Sequence, residues 1–191
     1  SQMVDHVLQL PEDTRLMVLA PLVVGRKGEQ ADLFDELRAQ GFVRLRIDGE
    51  VHEIDEVPKL KKNVSPLLDK SIESLTLAIE IFNRPTEIAR AHGVLILMQH
   101  AFEMLLKACI LQQTGSIHDR DQRYTYGFDR CLAVATEQLK IISSDERATL
   151  SILDAQRDQA AHYYVEMSED VLYVHAQSGV TLFNEVLKKT F

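Results

Sequence analysis

Two side chains near the end of one predicted helix have the residue types and the spacing for proton transfer beside a bound anion. Arg157 and His162 are five residues apart in the run QRDQAAH, residues 156–162. An imidazole exchanges protons near neutral pH, and a guanidinium holds phosphate or carboxylate oxygens with two directed donors. Five residues turn about 140° around an ideal helix. The two groups therefore reach one cleft only through the long arginine side chain or a helix that loosens near His162.

Asp158 stands where it can support the histidine. It lies four residues before His162, so both share one helix face, and its carboxylate can orient the imidazole or favour its charged form. A structural explanation stays open at this point, because His162 can simply cap the C-terminal end of its helix, where the helix dipole favours a cation. The spacing from Arg157 to His162 carries little weight alone, since a chain with this many arginines and histidines can readily contain it by chance.

A second group of candidates mixes arginines with tyrosines in a predicted loop, residues 114–127. Arg120, Arg123 and Tyr124 belong to its run DRDQRYTYG. Basic and aromatic side chains in alternation are typical of surfaces that bind single-stranded RNA, although a surface loop without a ligand has the same composition. Tyr163 can stack on a base or pack at the end of the helical bundle.

Composition narrows the class of protein. The 191 residues are 46% hydrophobic and 26% charged, which is typical of globular domains, and the net charge of −8 argues against a broadly basic binder of duplex DNA. No apolar run approaches the roughly 20 residues of a membrane helix, and no signal peptide pattern is present, so we expect a cytoplasmic protein without a membrane partner. The two cysteines, Cys109 and Cys131, lie among apolar helical residues. The sequence has neither a CxxC motif nor a phosphate loop, so we expect no metal site and no cofactor.

Residues 1–63 have the pattern of a small α/β segment. A short apolar run is typical of a buried strand, and a segment with one apolar helical face precedes a glycine. Alternation of apolar and charged residues follows, and an Asp-Gly pair then predicts a tight hairpin. In chain order these features are the strand 16–24, the helix 31–40 before Gly41, the strand 42–47, the turn 48–49, the returning strand 51–54 and the polar linker 58–63.

From residue 64 to residue 191 the apolar period is helical, so we expect an all-α bundle and an α+β fold class overall. The second helix has so broad an apolar stripe that we expect burial on more than one side, and Glu103 and Lys107 on it can form an ion pair. The predicted elements are a helix from an N-cap at Ser65 to residue 82, a helix 87–113, the loop 114–127, a helix 128–142, a helix from Ser144, a short stretch 171–174 and a last helix through Leu187.

The first segment resembles one stretch of the bacterial excinuclease subunit UvrA. The matching runs are LMVLAPLV (16–23), RKGE (26–29), QGFVR (40–44) and RIDGE (46–50), and the resemblance ends near residue 62. It implies the module of UvrA that contacts UvrB. Arg26, Lys27, Arg44 and Arg46 are then candidate contacts to a partner, with solvated surface charge as the alternative. The Walker A motif and the ABC signature are absent, so this chain cannot run the ATP cycle of that family.

The helical segment 64–191 resembles HEPN domains. The matching runs are LLDKS (67–71), AIEIFNRP (78–85), HAFEMLLKA (100–108) and the Arg-x4-His run QRDQAAH (156–162). The resemblance implies metal-independent cleavage of RNA, in which His162 takes the proton of a ribose 2′-hydroxyl and Arg157 stabilises charge on the phosphate. The product would be a 2′,3′-cyclic phosphate. The resemblance also implies a homodimer through the helical domain.

Three hypotheses about function follow. The first is a HEPN-type endoribonuclease, as a toxin or an antiviral effector, with RNA as substrate, an antitoxin as a further partner and an appended UvrA-like segment. The second is a non-catalytic module that dimerises through the helical domain and docks a DNA-repair partner such as UvrB through residues 1–63. The third treats the first segment as a remnant of gene rearrangement.

Overall fold

The computed structural model of the chain forms two compact units, Ser1–Val57 and Pro58–Phe191. The predicted domain boundary, after residue 63, lies six residues further along the chain than this division. The structure describes residues 8–11, 14, 19–22, 31–47, 49–55, 60–119, 123–162 and 167–191. Residues 16–18 and 23–24 of the predicted strand 16–24 lie outside these residues. Its described residues, 19–22, form no strand and are exposed, so the prediction of a buried strand is wrong there.

The described part of the first unit consists of one helix and one hairpin. Its elements are α1 (Ala31–Ala39), β1 (Arg44–Ile47) and β2 (Glu50–Glu53). The two strands pair in antiparallel register, with Arg44 opposite Glu53 and Arg46 opposite Val51. The predicted helix and hairpin are confirmed, and so is the α+β fold class, because the described residues are mostly helical with one small sheet.

Gly41 ends α1 as the sequence predicted. Its φ of 85° is left-handed, a conformation that costs glycine little. The N–H of Gly41 donates to the carbonyl of Arg38, and the N–H of Phe42 donates to the carbonyl of Leu37. These two bonds satisfy carbonyls at the end of the helix. The chain then turns into β1, which brings the hairpin back beside α1.

Arg38 fastens the end of the hairpin to α1. Its Nε lies 2.7 Å from Asp55 Oδ1, and its Nη2 donates to the carbonyl of Ile54 at 3.0 Å. Leu37 and Ile54 are buried beneath these polar contacts. The small apolar core and the arginine together hold the hairpin in one place on the helix.

The second unit is a helical bundle built around one central helix. Its elements are α2 (Val64–Phe82), α3 (Arg90–Thr114), α4 (Phe128–Ala133), a π-helical turn (Val134–Gln138), α5 (Ser144–His162) and α6 (Glu169–Thr190). The central helix α3 contacts α2, α4, α5 and α6. Contact on several sides explains the broad apolar stripe of this helix, and the prediction of burial on more than one side is confirmed.

The length and composition of α3 would also suit a membrane span. By those two criteria it is the one such helix among the described residues, but 72% of the apolar segment is buried inside the bundle. A helix enclosed on several sides by other helices needs an apolar surface all round. The apolar character of α3 is therefore explained by its place in the core.

Two helix starts differ from the predicted ones. Asn63, with φ 69°, precedes α2, which begins at Val64, and no side chain caps it, so the prediction of Ser65 as N-cap is wrong. Ala89, with φ 56°, precedes α3, which begins three residues later than predicted. In both cases a left-handed residue turns the chain into the helix. The presence of an asparagine or an alanine in a sequence does not reliably predict that conformation.

A reciprocal pair of hydrogen bonds begins α5. The N–H of Glu146 donates to Ser143 Oγ at 3.2 Å, and the N–H of Ser143 donates to Glu146 Oε2 at 2.5 Å. Burial opposes the charge of Glu146, but the bonds from Ser143 and the ammonium of Lys189 bring the pKa of its carboxyl below the ordinary value. This capping box confirms a helix start at Ser144.

The predicted helix 128–142 is shorter and less regular than its pattern suggested. It divides into α4 and the π-helical turn, where the N–H of Leu139 donates to the carbonyl of Val134. Lys140, with φ 53°, then ends it. The separate stretch predicted at 171–174 is wrong, because it forms the beginning of α6, which is capped by Ser168.

Glycine allows α6 to pack closely on α3. A Cβ at Gly179 would lie 2.0 Å from the Cε of Met98, whose side chain is buried. One turn further along, Phe183 packs edge-on against Phe102 with ring centroids 5.7 Å apart. The contact between α3 and α6 is therefore made by an aromatic pair beside a glycine–methionine contact.

Candidate functional site

Arg157 lies on α5 between two carboxylates. Its Nη2 is 2.7 Å from Asp154 Oδ1 and its Nη1 is 2.8 Å from Asp158 Oδ1. The side chain is 28% exposed. Its Nε is buried and has no hydrogen-bond partner among the described residues. An incoming phosphate would therefore reach this guanidinium from the solvent side and compete with both carboxylates.

His162 is the last residue of α5, and it is exposed to solvent. The sequence predicted that Asp158 shares a helix face with His162. Its carboxylate forms an ion pair with Arg157 instead. The histidine thus stands at the end of the helix while the arginine and the aspartate pair one turn earlier. Tyr163 lies outside the described residues. The catalytic roles of Arg157, Asp158 and His162 stay predictions.

A polar contact between helices lies next to this arginine in the chain. Gln156 Nε2 is 2.9 Å from His175 Nε2 of α6. The amide nitrogen can only donate, so the ring nitrogen accepts, and burial lowers the pKa of His175, which favours the neutral ring. Sequence reasoning missed this pair because two residues of different helices, 19 positions apart, leave no signal in spacing.

The ion pair predicted on the central helix is confirmed. Lys107 Nζ lies 2.6 Å from Glu103 Oε1, and Lys107 is only 6% exposed. His100 is one turn before Glu103. Burial lowers the pKa of His100, and the charges of Lys70 and Lys107 lower it further against the opposing effect of Glu103. The pair is thus a nearly buried contact between opposite charges in the core.

Both cysteines lie within the described residues as buried free thiols. Burial raises the pKa of Cys109 to about 11 and that of Cys131 to about 12. Such thiols stay protonated at neutral pH and are poor nucleophiles. Among the described residues there is also no group of three or more His, Cys, Asp or Glu side chains placed to hold a metal ion.

The tyrosine-rich loop before α4 is held by Arg130. This guanidinium lies 5.4 Å from the ring centroid of Tyr126 and 3.0 Å from Asp119 Oδ1. Arg123 and Tyr124 are exposed, as an RNA-binding role or a bare surface loop would both require. Arg120 lies outside the described residues. The RNA-binding role of this loop stays a prediction.

One face of the hairpin carries both arginines that the sequence singled out there. In a hairpin, two residues paired across the strands lie on the same face, and so do residues two positions apart on one strand. One face therefore carries Arg44, Arg46, Val51 and Glu53. Arg44 Nε is 2.7 Å from Glu53 Oε1, yet the Arg44 side chain remains 65% exposed. Arg46 Nε donates to the carbonyl of Gly49 at 3.1 Å.

Exposed apolar side chains lie close in the chain to these arginines. Val51 of the same face is exposed, and so are Phe42 and Val43 directly before β1. The combination of exposed arginine with exposed aromatic and branched side chains is typical of protein–protein contact surfaces. Arg26 and Lys27, the other two candidate contacts, lie outside the described residues.

Two family comparisons match the chain. The UvrA interaction domain matches residues 1–89, and the family described as domain of unknown function DUF3644 matches residues 66–191. The two matches overlap over residues 66–89, which include most of α2. The similarity to UvrA therefore extends beyond residue 62, where the sequence had placed its end.

Curated relatives agree with the first of these matches. UvrABC system protein A of Neisseria meningitidis serogroup A is 55% identical over 96 residues, which cover 49% of this chain and 10% of that protein. The protein of the same name from Pseudomonas aeruginosa is 49% identical over 87 residues, 46% of this chain and 9% of the relative. That of Mycobacterium tuberculosis is 45% identical over 101 residues, 50% of this chain and 10% of the relative.

The chain spans about a tenth of the length of these curated relatives. The DUF3644 match, by contrast, covers well over half of the chain and takes in every helix of the bundle apart from the first two residues of α2. The chain therefore belongs to the family described as domain of unknown function DUF3644, and it carries at its N-terminal side a segment similar to the UvrA interaction domain.

Proposed function

We propose that this protein is an interaction module whose hairpin face docks a DNA-repair partner of the UvrB type. The observation that carries the proposal is the exposed face of Arg44, Arg46 and Val51 in a segment similar to the UvrA interaction domain. UvrB was the partner that the sequence resemblance implied for this stretch. A DNA-repair role of this kind places the protein in the cytoplasm.

The hairpin is suited to binding because polar and apolar contacts hold it to α1 at one end and its other face is exposed. Arg38 and the buried Ile54 fix one end of it. Arg44, although paired with Glu53, keeps most of its side chain in solvent. Arginine and aromatic side chains contribute most to many interfaces because each buries a large area and still donates directed hydrogen bonds.

The test is a binding measurement between the full chain and purified UvrB. We expect the double variant Arg44→Ala/Arg46→Ala to bind at least about tenfold more weakly than the wild type, a loss of about 1.4 kcal/mol. Arg123→Ala/Lys188→Ala, which removes two exposed cations of the second unit outside residues 1–89, is the charge-matched control and should bind as the wild type does. Circular dichroism of each variant checks the fold. Equal binding by the double variant, or no binding by the wild type, contradicts the proposal.

A second candidate function, favoured by the exposure of His162, is the endoribonuclease activity of HEPN domains. The imidazole at the end of α5 is open to solvent, and Arg157 in the turn before it is partly exposed, so both groups can be reached by RNA. Asp154 and Asp158 hold the guanidinium in one orientation, but their negative charges compete with an RNA phosphate for it. A homodimer through the helical domain would bring two copies of α5 together. In that role the protein would act as a toxin or an antiviral effector, with an antitoxin as partner.

Incubation of the chain with single-stranded RNA in the presence of EDTA tests this candidate. We expect His162→Ala to lower the rate of cleavage by at least about a hundredfold, because it removes the general base. Gln159→Ala, at an exposed position on the same helix, should leave the rate unchanged. Cleavage at equal rates by wild type and His162→Ala, or by neither, rules out this role and leaves the docking proposal standing.

A further inference from the structure

An apolar groove runs along the surface of the helical unit between α2 and α6. Its volume is about 330 Å³, and α3 forms its floor through the fully buried Val94 and Met98. Phe82 of α2 and Tyr173 of α6 approach each other at one end, with ring centroids 6.3 Å apart. The remaining lining residues are Leu75, Ala78 and Ile79 of α2, Asn83 directly after it, and Ala176, Gln177, Val180 and Thr181 of α6.

The apolar surface is wider than the groove itself. Ile79 and Val180 are exposed on its walls, and Tyr173 is 52% exposed. Ile72 and Val174, also exposed, continue the same two helix faces outside the groove. A contiguous apolar surface of this kind on a water-exposed helix pair marks a contact site.

The dimensions of the groove fit one helix of a partner. On this side the lining residues extend from Leu75 of α2 to Asn83 directly after it, which is about 12 Å along the helix axis, or roughly two turns. An amphipathic helix places two or three apolar side chains over that length, at spacings of three, four and seven residues. These side chains can enter the groove while the exposed walls cover the rest of the apolar stripe.

The charges beside the groove indicate which charged residues the partner helix should carry next to its apolar stripe. Along residues 71–83 and 169–187 there is neither lysine nor arginine, although Arg84 and Lys188 directly follow these stretches. The carboxylates on them are those of Glu73, Glu80, Glu169, Asp170 and Glu185. Glu169 is paired with Arg90, and the other four carboxylates outnumber the two neighbouring cations. A partner with lysine or arginine beside its apolar stripe therefore matches both the groove and its surroundings.

We propose that the groove between α2 and α6 docks a basic amphipathic helix of another protein. This second interaction surface is independent of the hairpin face and does not depend on the UvrB proposal. The probe is a fluorescein-labelled synthetic peptide of about 15 residues, enough for about four helical turns, with leucines on one face and lysines elsewhere. Its binding to the full chain is followed by fluorescence anisotropy at physiological salt.

Ala176→Phe tests the groove, because a phenyl ring at this lining position fills it. We expect binding to weaken by at least about tenfold, whereas Ala155→Phe, at an exposed site on α5, leaves it unchanged. Val180→Lys, on the exposed wall, should weaken binding as much without disturbing the core, with Ile152→Lys as its exposed control. A peptide of the same composition with leucines and lysines scrambled should bind at least about tenfold more weakly than the patterned one.

Three results would overturn the proposal. Binding that neither Ala176→Phe nor Val180→Lys weakens would place the peptide elsewhere. Equal binding of the scrambled peptide would show attraction between charges alone. Sedimentation equilibrium of the chain supplies the third, because a dimer that Val180→Lys converts to a monomer would mean that a second copy of this chain covers the groove. Loss of UvrB binding by the hairpin variant has no bearing on any of these results.

Discussion

Glu103→Ala is expected to lower the free energy of unfolding by about 3 kcal/mol, because it leaves the ammonium of Lys107 buried without its carboxylate. Lys107 is only 6% exposed, and its Nζ lies 2.6 Å from Glu103 Oε1. Urea unfolding at neutral pH, followed by far-ultraviolet circular dichroism, measures the loss. That signal reports chiefly the helical unit, to which the pair belongs.

Two control variants separate the buried charge from the lost contact. The double variant Glu103→Leu/Lys107→Met removes both charges and should lie within about 1 kcal/mol of the wild type. Glu137→Ala removes the carboxylate from an exposed ion pair with Arg147 and should cost less than about 1 kcal/mol. If Glu103→Ala costs no more than Glu137→Ala, the Lys107 ammonium reaches water and the core at this point is open.

Phe102→Ala is expected to lower the free energy of unfolding by about 4 kcal/mol. Phe102 is fully buried on α3, and its ring packs edge-on against Phe183 of α6. The variant loses the transfer energy of the ring and leaves a cavity between the central helix and α6. The same urea titration measures it, with Ile152→Ala at an exposed site of α5 as the control expected to cost less than about 0.5 kcal/mol. A loss below about 2 kcal/mol would mean that α6 closes onto α3 and fills the cavity.

The sequence predicted the elements of this protein better than their ends. The breadth of the apolar stripe on α3 predicted a helix surrounded by others, because a helix that is apolar on several sides must bury each of those sides. Gly41 predicted the end of α1 for a similar reason, since few other residues take its left-handed conformation as readily. The starts of α2 and α3 depend on left-handed Asn63 and Ala89, a backbone choice that these residue types do not disclose.

The candidate sites were predictable only where both partners lie on one element. Glu103 and Lys107 are one helical turn apart, and their pairing followed from spacing alone. Asp154, three residues before Arg157, forms an ion pair with the same guanidinium, and its spacing would have predicted that pair equally well. The contact between Gln156 and His175 joins two helices, so only the folded chain reveals it. The groove likewise exists only where α2 and α6 lie beside each other on α3.

The close approach of Gly179 to Met98 restricts how the sequences of α3 and α6 can diverge. A side chain at residue 179 would take the space of the Met98 methyl group, and Met98 also lines the groove, so a displaced Met98 side chain would change the shape of the groove. We therefore expect a larger residue at 179 to make the groove shallower or to occur together with a shorter residue at 98. These two positions should then vary together, although they belong to helices far apart in the chain.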